Sequence, residues 1–283
     1  MLAIVTDSTC DLRKPKLEEL KVERVPLYVN FKGKTHKDWL EITPDEIISG
    51  VQAGANLPTT SQPSPQDFAD AYKAAIAKGA TEILCLNISS NLSGTYQSAL
   101  AAKEHVKVPV SVFDSRFASL GLGAMVDKAA VMRNSGASLK DIMPVMEHMR
   151  DNGTICFTVG TLEFLQKGGR IGRANALLGS LLNIKPVLSL DRGTVVPIGR
   201  ARGAKKGLKM LVDEVEKYAS QHQGKLVAYF VHVQDQSDVE TLRQAIAEAG
   251  IEVEDKGSFE MGAVIACHTG PHTYGFYLYN DIA

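Results

Sequence analysis

The chain has 283 residues, which at roughly 150 residues per domain implies two domains. It carries 31 Lys and Arg against 32 Asp and Glu, a formal net charge of −1, with 45% hydrophobic and 22% charged residues. That balance fits an ordinary soluble globular protein; it excludes a disordered acidic chain and a nucleic-acid binder that works through bulk positive charge.

Compact apolar runs at residues 2–6 (LAIVT), 82–88 (EILCLNI) and 109–113 (PVSVF) predict strands in the first half. Between them, residues 65–78 place Phe68, Tyr72, Ala75 and Ile76 at helical spacing behind Pro65, and residues 91–106 and 117–133 read as further helices. Strands alternating with helices imply right-handed crossovers and a parallel sheet covered on both faces, a three-layer domain. In the second half, residues 154–159 (TICFTV) and 184–190 (IKPVLSL) predict strands flanking a Gly- and Arg-rich helical piece. Leu208, Leu211, Val212, Val215 and Tyr218 then mark a long amphipathic helix. A strand at 225–233, a helix at 237–249, and a hairpin of strands 262–268 and 274–280 about Gly270-Pro271 complete a smaller α/β domain with a mixed sheet. The expected division is 1–155 and 156–283.

The four cysteines, Cys10, Cys85, Cys156 and Cys267, form no CxxC pair, which excludes zinc-finger and redox motifs. Three lie in apolar runs and are expected to be buried free thiols in a reducing cytoplasm. Met1 leads straight into LAIVTD without the basic start and apolar core of a signal peptide, and the most apolar stretch, 118–132, contains Asp127 and Lys128. A cytoplasmic protein is expected. HExxH, GxSxG and GxxxxGK[ST] are absent, and His268 and His272 flank a Gly-Pro turn that breaks the helix a metal pair would need. Neither a metal nor a cofactor is expected.

What remains are hydroxyl- and Gly-rich turns. Thr6-Asp7-Ser8-Thr9 follows the first strand, where the carboxyl ends of parallel strands form a binding crevice; an Asx-turn with a helix cap is the equal alternative. Thr59-Thr60-Ser61-Gln62-Pro63 sets adjacent hydroxyls beside a proline. In Ser89-Ser90-Asn91-Leu92-Ser93-Gly94-Thr95 a helix opens, and Ser93 with the N–H groups of Gly94 and Thr95 could receive a carboxylate or phosphate, beyond a plain cap. A basic cluster, Lys167 to Arg173 followed by Arg200, Arg202, Lys205, Lys206 and Lys209, makes a local positive field in a nearly neutral chain. A solvated charged face is its ordinary reading, and an anionic ligand or acidic partner its functional one.

The stretches IVTDSTCDL, VPLYVNFKGK, TTSQPSP, NISSNLSGTYQSA, FDSRFASLGLG, TLEFLQKGGRIGRA, NIKPVLSL and AVIACHTGPHTYGFYLY run end to end, and with them the chain resembles the DegV family of bacterial fatty-acid-binding proteins. The resemblance implies a two-domain α/β protein that holds a long-chain fatty acid in a tunnel, its carboxyl head at the domain junction. It also implies a separate ATP-dependent fatty acid kinase that converts the presented carboxylate to an acyl phosphate for phospholipid synthesis. By motif match, Thr60, Ser61, Ser93, Gly94 and His268 are the head-group residues, and Arg170, Arg173, Arg202 and Lys206 the kinase-facing ones. The arginines are expected to face outward around the tunnel mouth, and a protonated His268 is expected to bond the carboxylate. One departure is His272, where the family usually reads HTGPG; its side chain is expected to crowd or recharge the mouth. A carrier needs no catalytic pair and no nucleic acid, and transient contact with a membrane surface is left open. The alternative is an enzyme, a phosphotransferase or hydrolase acting on a small anionic substrate through Ser93 and His268.

Overall fold

The computed structural model describes residues 1–179 and 184–282; Asn183, which opens the NIKPVLSL run, and Ala283 lie outside the described residues. The chain begins with β1 (Leu2–Asp7), a 3-10 turn, α1 (Lys14–Glu19), β2 (Val22–Val25), β3 (Tyr28–Phe31), β4 (Lys34–Lys37), α2 (Pro44–Gln52) and β5 (Thr59–Ser61). Next come α3 (Pro65–Ala77), β6 (Glu82–Asn87), α4 (Thr95–Ala102) and β7 (Val110–Asp114), then the long helices α5 (Leu120–Asn134) and α6 (Leu139–Asn152). The second half holds β8 (Thr154–Thr158), α7 (Glu163–Lys167), β9 (Ile184–Asp191), β10 (Thr194–Arg202), α8 (Ala204–Gln221) and β11 (Lys225–His232). It closes with α9 (Ser237–Glu248), β12 (Glu254–Glu260), α10 (Ala263–Thr269) and β13 (Tyr274–Asp281).

Three sheets result. The first is parallel, in the order β2-β1-β6-β7. A six-stranded mixed sheet runs β10-β9-β8-β13-β11-β12, antiparallel except where β11 meets β12. A small antiparallel sheet, β4-β3-β5, sits beside them.

Strand periodicity decides the layers, because successive side chains point to opposite faces. In β1 and β6, Ala3, Val5, Ile83 and Cys85 pack with Phe68 and Tyr72 of α3, while Ile4, Leu84 and Leu86 turn to the other face. In β13, Phe276 and Leu278 join Leu211 and Val215 of α8 and Leu242 of α9, while Tyr277 and Tyr279 join the same core as Ile4 and Leu84. The middle of that shared core is α5, buried along Leu120–Val126 and packed against strands of both large sheets. The molecule is therefore layered helix, sheet, helix, sheet, helix, and each fully buried aromatic such as Phe68, Phe230 or Phe276 contributes about 1.5–3 kcal/mol.

Local signals start several helices. Thr43 with Glu46 and Ser64 with Asp67 form capping boxes, each followed by a proline in the first turn, where its missing N–H costs nothing. The four cysteines are buried and free, and burial pushes the thiols of Cys10 and Cys85 up to about 12.

The expected hairpin of strands 262–268 and 274–280 does not form. Residues Ala263–Thr269 are helix α10, and β13 lies antiparallel between β8 and β11. A short continuous apolar run such as AVIAC carries no period that separates strand from helix. Tertiary contacts decide it: Asp11 Oδ1 accepts from Gly262 N at 2.9 Å and Asp38 Oδ1 from Val264 N at 3.2 Å, serving N–H groups that the helix itself leaves unpaired. Gly270, at φ +75°, ends the helix in a conformation that suits glycine. Elements α1, β2 to β4, α2, α6, β10 and β12 were not anticipated, the Thr59–Ser61 turn is strand β5, and α4 and α5 begin at Thr95 and Leu120, not at 91 and 117.

Candidate functional site

Past the carboxyl ends of the parallel strands lies a cavity of about 340 Å³ between the first sheet and the mixed sheet. Helix α10 forms one side of it. Its contributions, together with Met261 two residues before it, are Val264, Ile265, His268 and Thr269, spaced as one helical face, so the cavity runs along the helix. Opposite stand Ile155 and Phe157 of β8, Leu190 of β9 and Val195 of β10. The β9–β10 hairpin is tied to the loop after β6, where Ser89 Oγ donates to Gly193 O at 3.0 Å and Asn91 Nδ2 to Arg192 O at 2.8 Å.

The lining is apolar except for one cluster and a lone serine. Thr60 and Ser61 of β5, Gln62, Ser93, Arg170, His268 and Thr269 make the cluster, and Ser119 stands apart. Thr60 Oγ1 and His268 Nε2 are hydrogen-bonded at 2.8 Å. His268 Nδ1 is buried and has no partner among the described residues. Burial, and secondly the nearby Arg170 guanidinium, push the imidazole down to about 4. With no carboxylate beside it the imidazole is held in its neutral form, whereas the expectation of a protonated His268 concerns the ring next to a bound carboxylate. The positive charge at the cavity belongs to Arg170. It is half-buried in the wall, donating through Nε to Leu92 O at 3.0 Å and through Nη1 to Gly168 O at 2.8 Å. Its expected outward position is not what the fold gives; both carbonyls turn its guanidinium into the cavity wall.

Ser93 Oγ bonds Thr95 Oγ1 at 2.8 Å and accepts from Thr95 N at 3.3 Å. The N–H of Thr95, expected to point at a ligand, is thus already used, and Gly94 holds the N-cap position of α4. The glycine has a packing reason: a Cβ there would stand 2.0 Å from Gln62 Oε1, whose amide donates to Ser98 Oγ at 3.1 Å. No hydrogen bond joins Ser93 to His268; each hydroxyl or ring is committed elsewhere.

The remaining expected residues are not at the cavity. Thr6, Asp7, Ser8 and Thr9 are fully buried, with Asp7 accepting from Thr9 N at 3.0 Å and Ile88 N at 2.8 Å, so this turn is structural and not a lip. Burial raises the Asp7 carboxyl against the pull of those hydrogen bonds. Arg173 is exposed and paired with Asp191, while Arg202 and Lys206 are exposed at the end of β10 and in the first turn of α8. His272 is exposed at φ +57° and is not among the residues that line the cavity. Sequence reasoning missed Gln62 and Ser119. Gln62 was adjacent to the hydroxyl pair it supports; Ser119 sits in FDSRFASLGLG with no local mark.

Residues 1–281 match the family model described as "Uncharacterised protein, DegV family". The chain belongs to the DegV family. A DegV domain-containing protein of Deinococcus radiodurans is 43% identical over 274 residues, covering 97% of this chain and 96% of its own. A DegV family protein from Thermus thermophilus, whose solved structure is described by its fatty acid binding, is 46% identical with a TM-score of 0.95 over 99% of both chains. A stearic-acid-binding protein of Eubacterium ventriosum is 28% identical with a TM-score of 0.88 over 98% of both. The α/β fold described above is the one these DegV structures share. Among the described residues, no three His, Cys, Asp or Glu side chains gather to hold a metal ion, and no helix is long and apolar enough to cross a membrane.

Proposed function

We propose that this protein is a fatty-acid carrier, with the acyl chain along α10 and the carboxylate at the cluster of Thr60, Ser61, Ser93, Arg170 and His268. The observation that carries this reading is an apolar cavity with hydroxyls, a neutral imidazole and one guanidinium gathered in a single cluster. A carboxylate cannot enter a dry interior unpaired, and this cluster supplies donors for it. Burying about fifteen methylenes is worth about 12 kcal/mol gross at about 0.8 each, much of it offset by ordering ligand and cavity. The described cavity, about 340 Å³, is at the small end of the range for ligand pockets. The fatty acids bound by the Thermus and Eubacterium relatives support the same ligand class.

The carrier presents its carboxylate to a separate ATP-dependent kinase for acyl-phosphate formation. Exposed Arg173, Arg202 and Lys206 form the basic surface on which an acidic face of that kinase would dock. Four buried free thiols support work in the reducing cytoplasm. The enzyme alternative, through Ser93 and His268, has no observation in its favour, because their hydrogen bonds lead to Thr95 and Thr60. Mass spectrometry of the gently extracted protein tests the reading: copurified long-chain fatty acid at near-stoichiometric amounts is expected, whereas ATP hydrolysis by the pure chain with no lipid bound would overturn it.

A further inference from the structure

The hydrogen bond between Thr60 Oγ1 and His268 Nε2, 2.8 Å long, can run in either direction. A neutral imidazole carries one N–H and one bare nitrogen, and a hydroxyl has one hydrogen to give. If Nε2 is bare, Thr60 spends its hydrogen on the ring, and the N–H sits on Nδ1. If Nε2 carries the hydrogen, the ring donates to Thr60, and the Thr60 hydrogen stays free for another acceptor.

The surroundings of Nδ1 separate the two cases, and the neighbour that matters is Gly168, at the C-terminal end of α7. Nδ1 is buried and has no partner among the described residues. A Cβ at Gly168 would stand 2.3 Å from Nδ1 and 3.0 Å from Cε1, so the hydrogen that glycine carries in that direction points at Nδ1. A lone pair accepts such a C–H as a weak contact. An N–H there would set hydrogen against hydrogen with no acceptor among the described residues, and buried N–H groups left without a partner are rare. The backbone gives no reason for a glycine at this position, because φ −74°, ψ −7° suits any residue. A side chain would instead meet the His268 ring and Phe164 O. The same glycine seats Arg170, whose Nη1 donates to Gly168 O at 2.8 Å, and that guanidinium opposes a charge on the ring.

We propose that Gly168 fixes His268 as the Nε2–H tautomer, which makes His268 a positioning residue: the ring donates to Thr60 Oγ1, and the Thr60 hydroxyl hydrogen is the one offered to the carboxylate. The hydrogen bonds then run one way, from ring to hydroxyl to ligand, and the ring contributes through Thr60. The inference rests on the fatty-acid reading for its ligand and goes beyond it in naming the hydrogen that the carboxylate receives.

The tautomer is read on the wild-type full chain, freed of lipid, at pH 7 by long-range proton–nitrogen NMR of the imidazoles. Nε2 lies two bonds from both ring C–H hydrogens and Nδ1 two bonds from one of them, so the coupling pattern shows which nitrogen is protonated. His268→Gln identifies the signals by their absence. The Nε2–H form is expected; the Nδ1–H form overturns the inference, whatever the chain binds. The route through Thr60 is read in the affinity for stearic acid. His268→Leu is expected to lose about ten- to hundredfold, as Thr60→Val does. His268→Gln, with an amide N–H near the place of Nε2, should recover most of that loss. In the Thr60→Val background, His268→Leu should cost less than about twofold more, because the two side chains act as one unit. A further loss of about tenfold there would mean that the ring meets the carboxylate directly, and it overturns the positioning role. A wild-type chain that binds no stearic acid overturns the fatty-acid reading, and the NMR result still judges the tautomer by itself.

Discussion

Thr60 and His268 meet at 2.8 Å across 208 residues of sequence, a β5 hydroxyl against the ring of α10. The contact joins the small sheet to the helix that forms one side of the cavity, and it sets the rotation of the imidazole. Thr60→Val removes the hydroxyl while nearly keeping the volume. It should cost about 1.5–3 kcal/mol of fatty-acid affinity, as should Ser93→Ala, because a buried carboxylate loses a donor. Titration calorimetry on both variants, with thermal unfolding to confirm an intact fold, reads the loss.

His268 also makes a prediction about acid. Its pKa is depressed to about 4 in the folded chain against about 6.5 when free, so between those values the unfolded chain binds more protons. Its contribution to stability is complete above pH 6.5 and is lost progressively as pH falls from there through 4, on the order of 3 kcal/mol in all. His268→Gln should flatten the stability profile within that window and leave it unchanged above. A bound carboxylate favours the imidazolium, so NMR titration should find the ring at higher pKa with fatty acid than without.

The two arginines of the GGRIGR run should separate by function. Arg170 lines the cavity, so Arg170→Gln should weaken fatty-acid binding by about 1.5–3 kcal/mol. Arg173 is 63% exposed beside Asp191, so Arg173→Glu should leave binding nearly intact and slow kinase-dependent acyl-phosphate formation. Direct binding and a coupled kinase assay on the same two proteins check the division.

His272 occupies the left-handed region at φ +57°, where a side chain is costly and glycine is not. His272→Gly should raise stability by about 0.5–1 kcal/mol in urea denaturation and leave fatty-acid affinity as it was.

Much of this was written locally in the chain. LAIVT, EILCLNI and PVSVF are strands because each apolar run has strand length and turn residues at its ends, and the hydroxyls of TTSQP and LSGT reach the cavity as their motifs implied. What was not legible depended on partners distant in sequence. AVIACH is a helix because Asp11 and Asp38, more than 200 residues away, receive its first N–H groups. The charge state of His268 depends on burial and on Arg170, and the inward turn of Arg170 on the carbonyls of Leu92 and Gly168. Neither spacing nor composition carries that information. Ser119 was invisible for the same reason, since its hydroxyl is held by Asp11 on another element.

The helix layer shared by the two large sheets limits how the molecule can breathe. Residues of β1, β6, α5, α6, β11 and β13 belong to one continuous apolar core, so swinging the two sheets apart like a clamshell would wet Ile4, Leu84, Tyr277 and their neighbours at once. At about 25 cal/mol per Å² of apolar surface, exposing even a few such side chains costs several kcal/mol. Exchange of a ligand is therefore a matter for the thin parts of the wall, where loops and hairpin turns meet through two or three hydrogen bonds. The bulk of the protein is thus one continuous frame, and the cavity lies at its edge.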